Sequence, residues 1–436
     1  MCSENLPIIV RESTVDCYFP HAYAAGREPA SVALGGGVWV MLKKCVLLLG
    51  NYRPSVALAR QLDNIGYTVI LARDEGALAA YSRTVSEVWE HKFALSSAEF
   101  LGELVEFLEN RPEIEIVVPV QESSVLMIAR NVDKLPKSRT YATPAADVVE
   151  TCLDKVSMLR IVDALEIPSA SARVVEDYIS LTEAAATIGS PLIVRPLSSS
   201  KPINGRKAHI LKDAGTLSEI ISEWPAGHDV LIVQRYVDGP RYNVDFVAQN
   251  GTIVRAVATK ILRTDAYDGT GIDVSGKTVP MPEDLFSYTE RIASHFNYTG
   301  VGLAQYMVDR EKDETTFLEV NPRFNGNLAV PEKAGLEFSR LAIDLALNPS
   351  RQIDIVISNG GLRHAWFFGD FFGVLKSWKQ GMIGTVKVPI ALMKALSDAV
   401  TADHHIVWSR SDYRPAVSQF GLQLKRGLGQ LRREGA

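Results

Sequence analysis

The sequence has few cysteines and no long apolar run. Its four cysteines, at positions 2, 17, 45 and 152, form no CxxC pair and have no metal-finger spacing. Such sparse usage excludes a disulfide framework and favours a reducing compartment. The longest apolar stretches, residues 45–49 and 365–374, are far shorter than the ~18–20 residues that span a bilayer. We therefore expect a cytoplasmic protein without a transmembrane segment.

An excess of positive charge is also missing. The 436 residues include 46 Lys and Arg against 51 Asp and Glu, which gives a formal net charge of -5. This balance provides no general attraction to nucleic acid or to an anionic membrane. We expect a small-molecule ligand and no nucleic-acid partner. The length predicts two to four domains at roughly 100–200 residues each.

The N-terminal part of the chain lacks a glycine-rich phosphate loop. From residue 41 to 140 apolar strands alternate with helical segments, which predicts a parallel sheet covered on both faces. The first strand-to-helix turn has one glycine, Gly50, so the GxGxxG spacing of a dinucleotide site is absent. An oxidoreductase is therefore disfavoured. We interpret this region as a structural α/β domain whose loop ends contribute to a substrate cleft.

After about residue 140 the pattern changes to α+β. Asp154 is placed to cap a helix over 155–165, and strand-like runs follow. Asn250-Gly251 separates two of these runs, and this dipeptide is the strongest short signal of a β-hairpin. Antiparallel pairing is expected to dominate this part of the chain.

Residues 300–321 form a second predicted hairpin, and its polar side chains suggest a metal site. If the charged turn centres on Lys312, Gln305 lies opposite Glu319, and Asn321 falls on the same face as Glu319. Side chains opposite each other are about 5 Å apart and diagonal ones about 7–8 Å. Three oxygen ligands then converge on one hard cation. Magnesium prefers such ligands and keeps positions open for substrate phosphates, and Mn²⁺ is the alternative.

Arg323 follows on the same side of this strand. Its guanidinium can hold a phosphoryl oxygen or a carboxylate with two hydrogen bonds. The alternative interpretation is a half-exposed polar hairpin face without a ligand. Asn321 followed by Pro322 is an unusual end for a strand, and this favours a site.

These residues carry a family resemblance. Residues 318–323, Leu-Glu-Val-Asn-Pro-Arg, resemble the magnesium motif of ATP-grasp ligases, especially the large chain of carbamoyl-phosphate synthase, and are similar to D-alanine:D-alanine ligase-like enzymes. The resemblance extends over roughly residues 44–347. It implies that Lys155 and Arg195 are the two basic nucleotide-binding residues. It also implies that residues 234–240 link two grasping subdomains, with the backbone of Tyr236 and Val237 pairing with the adenine edge.

Further nucleotide contacts follow from the same resemblance, although two segments depart from the family pattern. The flap after Arg195 has serines and cations in place of glycines, so Ser198 and Lys201 are the expected phosphate contacts. Arg241 stands where many relatives have an acidic residue for the ribose, and arginine cannot accept a hydrogen bond. The nucleotide-binding set implied by the resemblance is Lys155, Arg195, Ser198, Lys201, Gln234, Arg235, Tyr236, Val237 and Arg241.

The same resemblance implies which residues contact the acceptor substrate. Basic residues near Lys260 and Arg263 touch the transferred phosphate or the acceptor carboxylate in relatives, so these two join Arg323 as expected catalytic residues. Residues 324–327 either line the acceptor pocket or form a simple turn. The aromatic run at 366–378 and the basic tail at 425–433 form a packed C-terminal subdomain or contact a membrane surface or a partner protein.

The predicted fold class is α/β and α+β: a parallel-sheet domain, a two-subdomain ATP-grasp fold and a small C-terminal region. The expected parts are a flexible leader (1–40), an N-terminal α/β domain (41–140), the smaller ATP-grasp subdomains (141–233), the large subdomain (234–349) and a C-terminal region (350–436).

The resemblance implies a ligase that uses ATP and Mg²⁺ to join a small-molecule carboxylate to an amine through an acylphosphate. Two alternatives stay open: a carbamoyl-phosphate or carboxylase-type enzyme, and an ATP-binding or nucleotide-binding module with weak or no ligase turnover. A homo-oligomer of the chain is compatible with each of these functions.

Overall fold

The computed structural model describes residues 31–34, 38–41, 44–74, 78–197, 202–204, 206, 208–309, 312 and 314–434. The chain divides into two units, residues 1–43 and 44–436. In the first unit, β1 (Ser31–Leu34) and β2 (Val38–Met41) form an antiparallel hairpin. The remainder of the expected leader, residues 1–40, lies outside the described residues.

The second unit begins with a parallel five-stranded sheet, as the sequence predicts. Its strand order is β5-β4-β3-β6-β7, and every neighbouring pair is parallel. Alternate residues of β3 enter two separate apolar cores, Leu48 on one face and Leu47 on the other. Both faces are therefore covered. The elements are β3 (Cys45–Leu49), α1 (Arg53–Asn64), β4 (Thr68–Ala72), β5 (Val85–Trp89), α2 (Ala98–Glu109), β6 (Ile114–Pro119), α3 (Glu122–Asn131) and β7 (Thr140–Tyr141).

Two short helices then lead to an antiparallel four-stranded sheet. The predicted cap is confirmed: the Asp154 carboxylate accepts from the N–H groups of Val156 and Ser157 at 2.9 and 3.2 Å. The sheet has the order β10-β9-β11-β8. The elements are α4 (Ala146–Leu153), α5 (Lys155–Ala164), β8 (Ala172–Val175), α6 (Tyr178–Ile188), β9 (Leu192–Pro196), β10 (His209–Leu211), α7 (Leu217–Ile220) and β11 (Leu231–Arg235).

A larger, mainly antiparallel sheet follows. Its order is β16-β15-β12-β13-β14-β18-β19, with β17 paired to β13. The predicted hairpin is confirmed, with Asn250 and Gly251 at φ of 49° and 82° between β12 and β13. The elements are β12 (Arg241–Gln249), β13 (Thr252–Thr264), β14 (Asp273–Val279), α8 (Glu283–His295), β15 (Gly300–Asp309), β16 (Glu314–Asn321), α9 (Ala329–Lys333), α10 (Phe338–Leu347), β17 (Val356–Ile357), β18 (Arg363–Ala365) and β19 (His404–His405).

Three helices complete the C-terminal region: α11 (Phe367–Lys379), α12 (Val388–Thr401) and α13 (Arg414–Glu434). The aromatic run forms α11, and its Phe368 and Phe372 rings lie 5.2 and 5.8 Å from the Phe420 ring of α13. The basic tail falls in α13, and its side chains lie outside the described part of the chain. In the described ranges no helix is both long and apolar enough to cross a membrane.

The β15–β16 hairpin has an irregular register. Next to the turn, Asp309 is opposite Glu314 and Met307 is opposite Thr316. A bulge between Gln305 and Tyr306 then shifts the pairing by one residue, and Gln305 comes opposite Glu319. The predicted pair is therefore correct. The reason differs from the prediction, because the bulge rather than a turn centred on Lys312 establishes it.

Candidate functional site

A cavity of about 520 Å³ is lined by the four-stranded sheet, the larger sheet and the loop before α1. Its walls include residues from β9, β11, β15 and β16, together with the segment that links β11 to β12. Predicted site residues on its wall are Lys155, Arg195, Gln234, Arg235, Tyr236, Val237, Arg241, Arg263, Gln305, Glu319, Asn321 and Arg323. The fold thus gathers distant sequence segments around one space.

The proposed metal ligands lie on adjacent strands of the larger sheet. Gln305 donates its amide nitrogen to Asn243 Oδ1 at 2.7 Å, which leaves the Gln305 carbonyl oxygen as the group it can offer to a cation. Asn321 donates Nδ2 to Glu319 Oε1 at 2.9 Å and its Oδ1 accepts from Arg323 Nη2 at 3.2 Å, so the amide must turn and exchange these bonds before its oxygen can join Glu319 on a cation. Among the described residues no cluster of three His, Cys, Asp or Glu could hold a metal. One carboxylate with two amides fits Mg²⁺ that keeps positions open for phosphates.

Glu319 is ionised in a partly buried position. Burial alone would raise its pKa, but Lys155, the hydrogen bond from Asn321, Arg195 and Arg323 together hold the pKa below its ordinary value. Arg195 depends on the same pairing, because burial lowers the pKa of its guanidinium and Glu319 opposes that effect. The Lys155 ammonium also donates to the Pro196 carbonyl at 3.1 Å. Cations from three segments therefore surround one carboxylate.

Several guanidinium nitrogens on this wall are buried without a hydrogen-bond partner among the described residues. These atoms are Nε and Nη2 of Arg195, Nε of Arg241, Nε and Nη1 of Arg263, and Nε of Arg323. Buried donors in folded proteins are normally paired, and each unpaired donor is costly. Their common neighbourhood beside the cavity fits an anionic ligand that accepts from them.

The linker between β11 and β12 lies on the wall, but not every predicted backbone contact is available. The Tyr236 N–H donates to the Pro191 carbonyl at 3.0 Å, so this N–H cannot also bind an adenine edge. The Val237 N–H has no backbone acceptor among the described residues. Gln234 is buried and donates to the Ala170 carbonyl at 3.3 Å. Arg235 lies at the rim, where its half-exposed side chain pairs with Glu314.

The expected catalytic and flap residues have different positions. Lys260 does not line the cavity: its ammonium lies 6.0 Å from the centre of the Tyr242 ring, so the expected substrate contact has no geometric support. Arg263 does line the cavity, but its Nη2 pairs with Asp370 of α11 and, at 3.1 Å, with Asp398 of α12. Its charge is thus matched by the C-terminal helices. The expected phosphate contacts Ser198 and Lys201 lie outside the described residues.

Sequence reasoning missed a buried polar network at the other end of the cavity. Arg53 donates Nη1 to the Asp273 carbonyl at 3.1 Å and to Asn327 Oδ1 at 3.3 Å. Asn327 in turn donates to the Asp273 carboxylate and, at 3.1 Å, to His364 Nε2. Burial lowers the pKa of His364 to about 4, so the ring is neutral and can accept. Two signals were available: the position of Arg53 beyond a buried parallel strand, and Asn327 in the segment 324–327 that the sequence assigned to an acceptor pocket or a turn.

Comparisons with known proteins agree with this architecture. A family model described as ATP-grasp in the biosynthetic pathway with Ter operon matches residues 228–367. The carbamoyl phosphate synthase large chain of Clostridium acetobutylicum is 25% identical over 255 residues, which cover 56% of this chain and 23% of that protein. The chain therefore spans less than a quarter of that relative's length.

Two solved structures share the fold. The biotin carboxylase domain of Hydrogenobacter thermophilus 2-oxoglutarate carboxylase, in complex with MgADP, ADP and bicarbonate, has a TM-score of 0.57 at 15% identity and covers 72% of this chain and 71% of its own. Staphylococcus aureus N5-carboxyaminoimidazole synthetase, complexed with ADP, has a TM-score of 0.57 at 12% identity, with 73% and 80% covered. The family model and the carbamoyl phosphate synthase relative both indicate the ATP-grasp superfamily, in agreement with the resemblance read from residues 318–323.

Proposed function

We propose that the protein is an ATP-dependent ligase that joins a small carboxylic acid to an amine and releases ADP and phosphate. The observation that supports this most is the placement of Lys155, Arg195 and Arg323 around ionised Glu319 on one cavity wall. Phosphoryl transfer needs little covalent chemistry from a protein and depends on positioning and charge neutralisation. A positive wall with unpartnered guanidinium nitrogens meets that need.

In this proposal Gln305, Glu319 and Asn321 hold Mg²⁺, with Mn²⁺ as the alternative. When bound, the metal neutralises charge on the phosphates. Gln305 is oriented for this role because Asn243 accepts from its amide nitrogen. Residues 141–233 and 234–349 would hold the nucleotide between them, and residues 41–140 would contribute to the acid site. The C-terminal region, residues 350–436, would support the cavity through Asp370 and Asp398.

The proposed reaction has two steps, phosphoryl transfer and then attack by the amine. A carboxylate oxygen attacks the γ-phosphorus of ATP, the bond between that phosphorus and the β–γ bridging oxygen breaks, and ADP leaves with the electron pair. The amine lone pair then attacks the acyl carbon, the C–N bond forms, inorganic phosphate leaves and the nitrogen loses a proton to solvent. Lys155, Arg195 and Arg323 stabilise the phosphoryl charge.

A carboxylase-type reaction is the second candidate. It is favoured by the structural likeness to a biotin carboxylase domain whose complex contains bicarbonate. Bicarbonate would then take the place of the organic acid in the first step. A nucleotide-binding module without ligation is the alternative of a different class, motivated by Arg241, whose guanidinium donates to the Gly271 carbonyl at 3.1 Å.

The test measures ADP release with MgATP, a panel of carboxylic acids, bicarbonate and a panel of amines. We expect release that requires both an acid and an amine, and Glu319→Gln should lower it by at least about 100-fold because the ionised ligand is lost. Glu314→Gln is the matched control, since Glu314 lies on the same strand and pairs with Arg235 at the rim.

Each outcome separates the candidates. Release that needs bicarbonate alone favours the carboxylase reaction, and tight ATP binding without acceptor-dependent ADP favours the binding module. Full activity of Glu319→Gln would remove the proposed metal site. Circular dichroism and thermal melting of both variants establish that the fold is retained.

A further inference from the structure

Arg53 brings a cation into the cavity from the parallel five-stranded sheet. It is the first residue of α1, directly beyond the carboxyl end of β3, where open parallel sheets commonly bind ligands. Arg53 is 5% exposed, and its guanidinium stacks at 4.0 Å on the Trp366 ring. Arg53 lines the same cavity as the nucleotide residues. This side chain is not part of the ATP site described above.

The hydrogen bonds of Arg53 leave part of its guanidinium available. Both described acceptors, the Asp273 carbonyl and Asn327 Oδ1, bind Nη1. Nη2 lies 3.8 Å from Asp273 Oδ1, beyond hydrogen-bond distance. A Cβ at Gly326, another residue of the cavity wall, would come within 2.5 Å of Nη2. The absence of a side chain at Gly326 therefore keeps this nitrogen in place.

Arg53 and Arg323 act on each other across this end of the cavity. Burial lowers the pKa of the Arg53 guanidinium, and Asp273, Tyr52 and Asp265 oppose that effect. The charge of Arg323 lowers the pKa of Arg53 further. Two nearby buried cations repel each other, and an anion between them would offset that repulsion. Arg323 Nε is buried without a partner among the described residues. Both guanidinium groups thus retain donors for one shared ligand.

We propose that Arg53 and Arg323 clamp the carboxylate of the acid substrate, an inference that rests on the proposed ligase function. Under the proposed function Lys155, Arg195 and the metal hold the nucleotide phosphates, which leaves the acid carboxylate as the anion for the two planar guanidinium groups. The acid is thereby anchored from residues 41–140 while the nucleotide is held by the later sheets.

The experiment measures the binding of acetate, glycine, succinate and inorganic phosphate to protein saturated with MgADP, by isothermal titration calorimetry. We expect wild-type protein to bind at least one carboxylate. Arg53→Lys should weaken that binding about tenfold, because lysine keeps the charge and loses the planar pair of donors. Affinities for MgADP and for phosphate should stay within about twofold, since their contacts lie at the other cations.

Two further variants sharpen the test. Arg60→Lys is the matched control: Arg60 lies on the same helix and pairs with Asp412 at 2.9 Å, and it does not line the cavity. Its carboxylate affinity should equal that of wild type. Gly326→Ala should displace the Arg53 Nη2 and weaken carboxylate binding without altering Arg53 itself. Combined with Arg53→Lys it should add little further loss, because both act on one contact.

Three results would overturn the clamp: wild-type binding of no carboxylate, unchanged carboxylate affinity in both Arg53→Lys and Gly326→Ala, or an equal loss of phosphate affinity in Arg53→Lys. Failure of wild-type protein to bind MgADP would instead contradict the proposed function. The two failures are thus distinguishable.

Discussion

At the residue scale, two carboxyl groups near the cavity have pKa values shifted in opposite directions. Glu319 stays charged because Lys155, Arg195 and Arg323 offset its burial. Asp245 has no cation of comparable effect. Burial raises its pKa to about 7, against a hydrogen bond from Asn325 and with a further rise caused by Asp273. The larger sheet thus carries one carboxylate that is ionised, on β16, and one that binds a proton near neutral pH, on β12.

Asp245→Asn should therefore change the pH dependence of stability. A carboxyl group whose pKa is raised on folding contributes stability that is present below its unfolded pKa near 4 and is lost as pH rises through about 7. We expect the variant to match wild type near pH 4 and to exceed its free energy of unfolding by about 2–4 kcal/mol at pH 8. Urea denaturation across this pH range measures the difference.

Asp133→Asn serves as the surface control, because the Asp133 side chain is 96% exposed. Its effect should stay within about 0.5 kcal/mol at every pH. A constant difference between Asp245→Asn and wild type from pH 4 to 8 would contradict the expected titration.

At the element scale, hairpins set the geometry of the site. The bulge in β15–β16 aligns Gln305 with Glu319, while the tight turn at Asn250-Gly251 sets the pairing of β12 with β13. β12 carries Asn243, which orients Gln305. Because side chains alternate between faces, a shift of one residue in either hairpin would turn the polar groups away from the cavity.

Gly251→Ala should destabilise the protein by about 1–3 kcal/mol. Gly251 has φ of +82°, and an added Cβ would lie 3.1 Å from the Ser294 backbone, so both strain and contact oppose the side chain. Chemical denaturation measures the change. Gly102→Ala is the matched control, since Gly102 is helical with open space around it, and it should stabilise by about 0.5–1 kcal/mol. Equal effects of the two substitutions would contradict this explanation.

At the scale of the whole molecule, the C-terminal region closes back on the N-terminal sheet. The Asp412 carboxylate accepts from Arg60 Nε at 2.9 Å, Ser82 Oγ at 2.6 Å and the Arg83 N–H at 3.0 Å. Arg263 joins the larger sheet to α11 and α12 through Asp370 and Asp398. The C-terminal helices therefore support the cavity from outside the nucleotide-binding strands.

Asp412→Asn should lower the free energy of unfolding by about 3 kcal/mol at neutral pH, because it leaves Arg60 without its buried charge partner. Burial would raise the pKa of Asp412, but Ser82, Arg83 and Arg60 hold it below the ordinary value. Its contribution is therefore present above about pH 4 and is lost as pH falls through the lower folded pKa. Denaturation at neutral and acid pH should show the deficit shrinking at acid pH.

Glu150→Gln is the control for Asp412→Asn, since the Arg130–Glu150 pair is about half exposed. It should cost less than about 1 kcal/mol. If Asp412→Asn lowered the free energy of unfolding by an equally small amount at neutral pH, the Asp412 contacts would not be what holds the C-terminal region to the N-terminal sheet.

Local patterns in the sequence predicted most of the elements. Continuous apolar runs, the Asp154 cap and the Asn250-Gly251 turn depend on neighbouring residues, and the structure confirms each of them. The substrate contact expected of Lys260 stays a prediction, and its side chain does not line the cavity because its direction within the long strand β13 depends on packing. Tyr236 was misjudged in part because its N–H binds Pro191, a residue 45 positions away.

The sequence by itself indicated the ATP-grasp resemblance and supplied the residue types of the proposed metal site, because both depend on short motifs and strand alternation. Only the tertiary structure decided which cations share the cavity. It brought Arg53 next to Asp273, 220 positions apart, and turned Arg263 toward the C-terminal helices. Such contacts arise from the packing of whole sheets and helices, where burial and charge pairing across the entire chain select one arrangement.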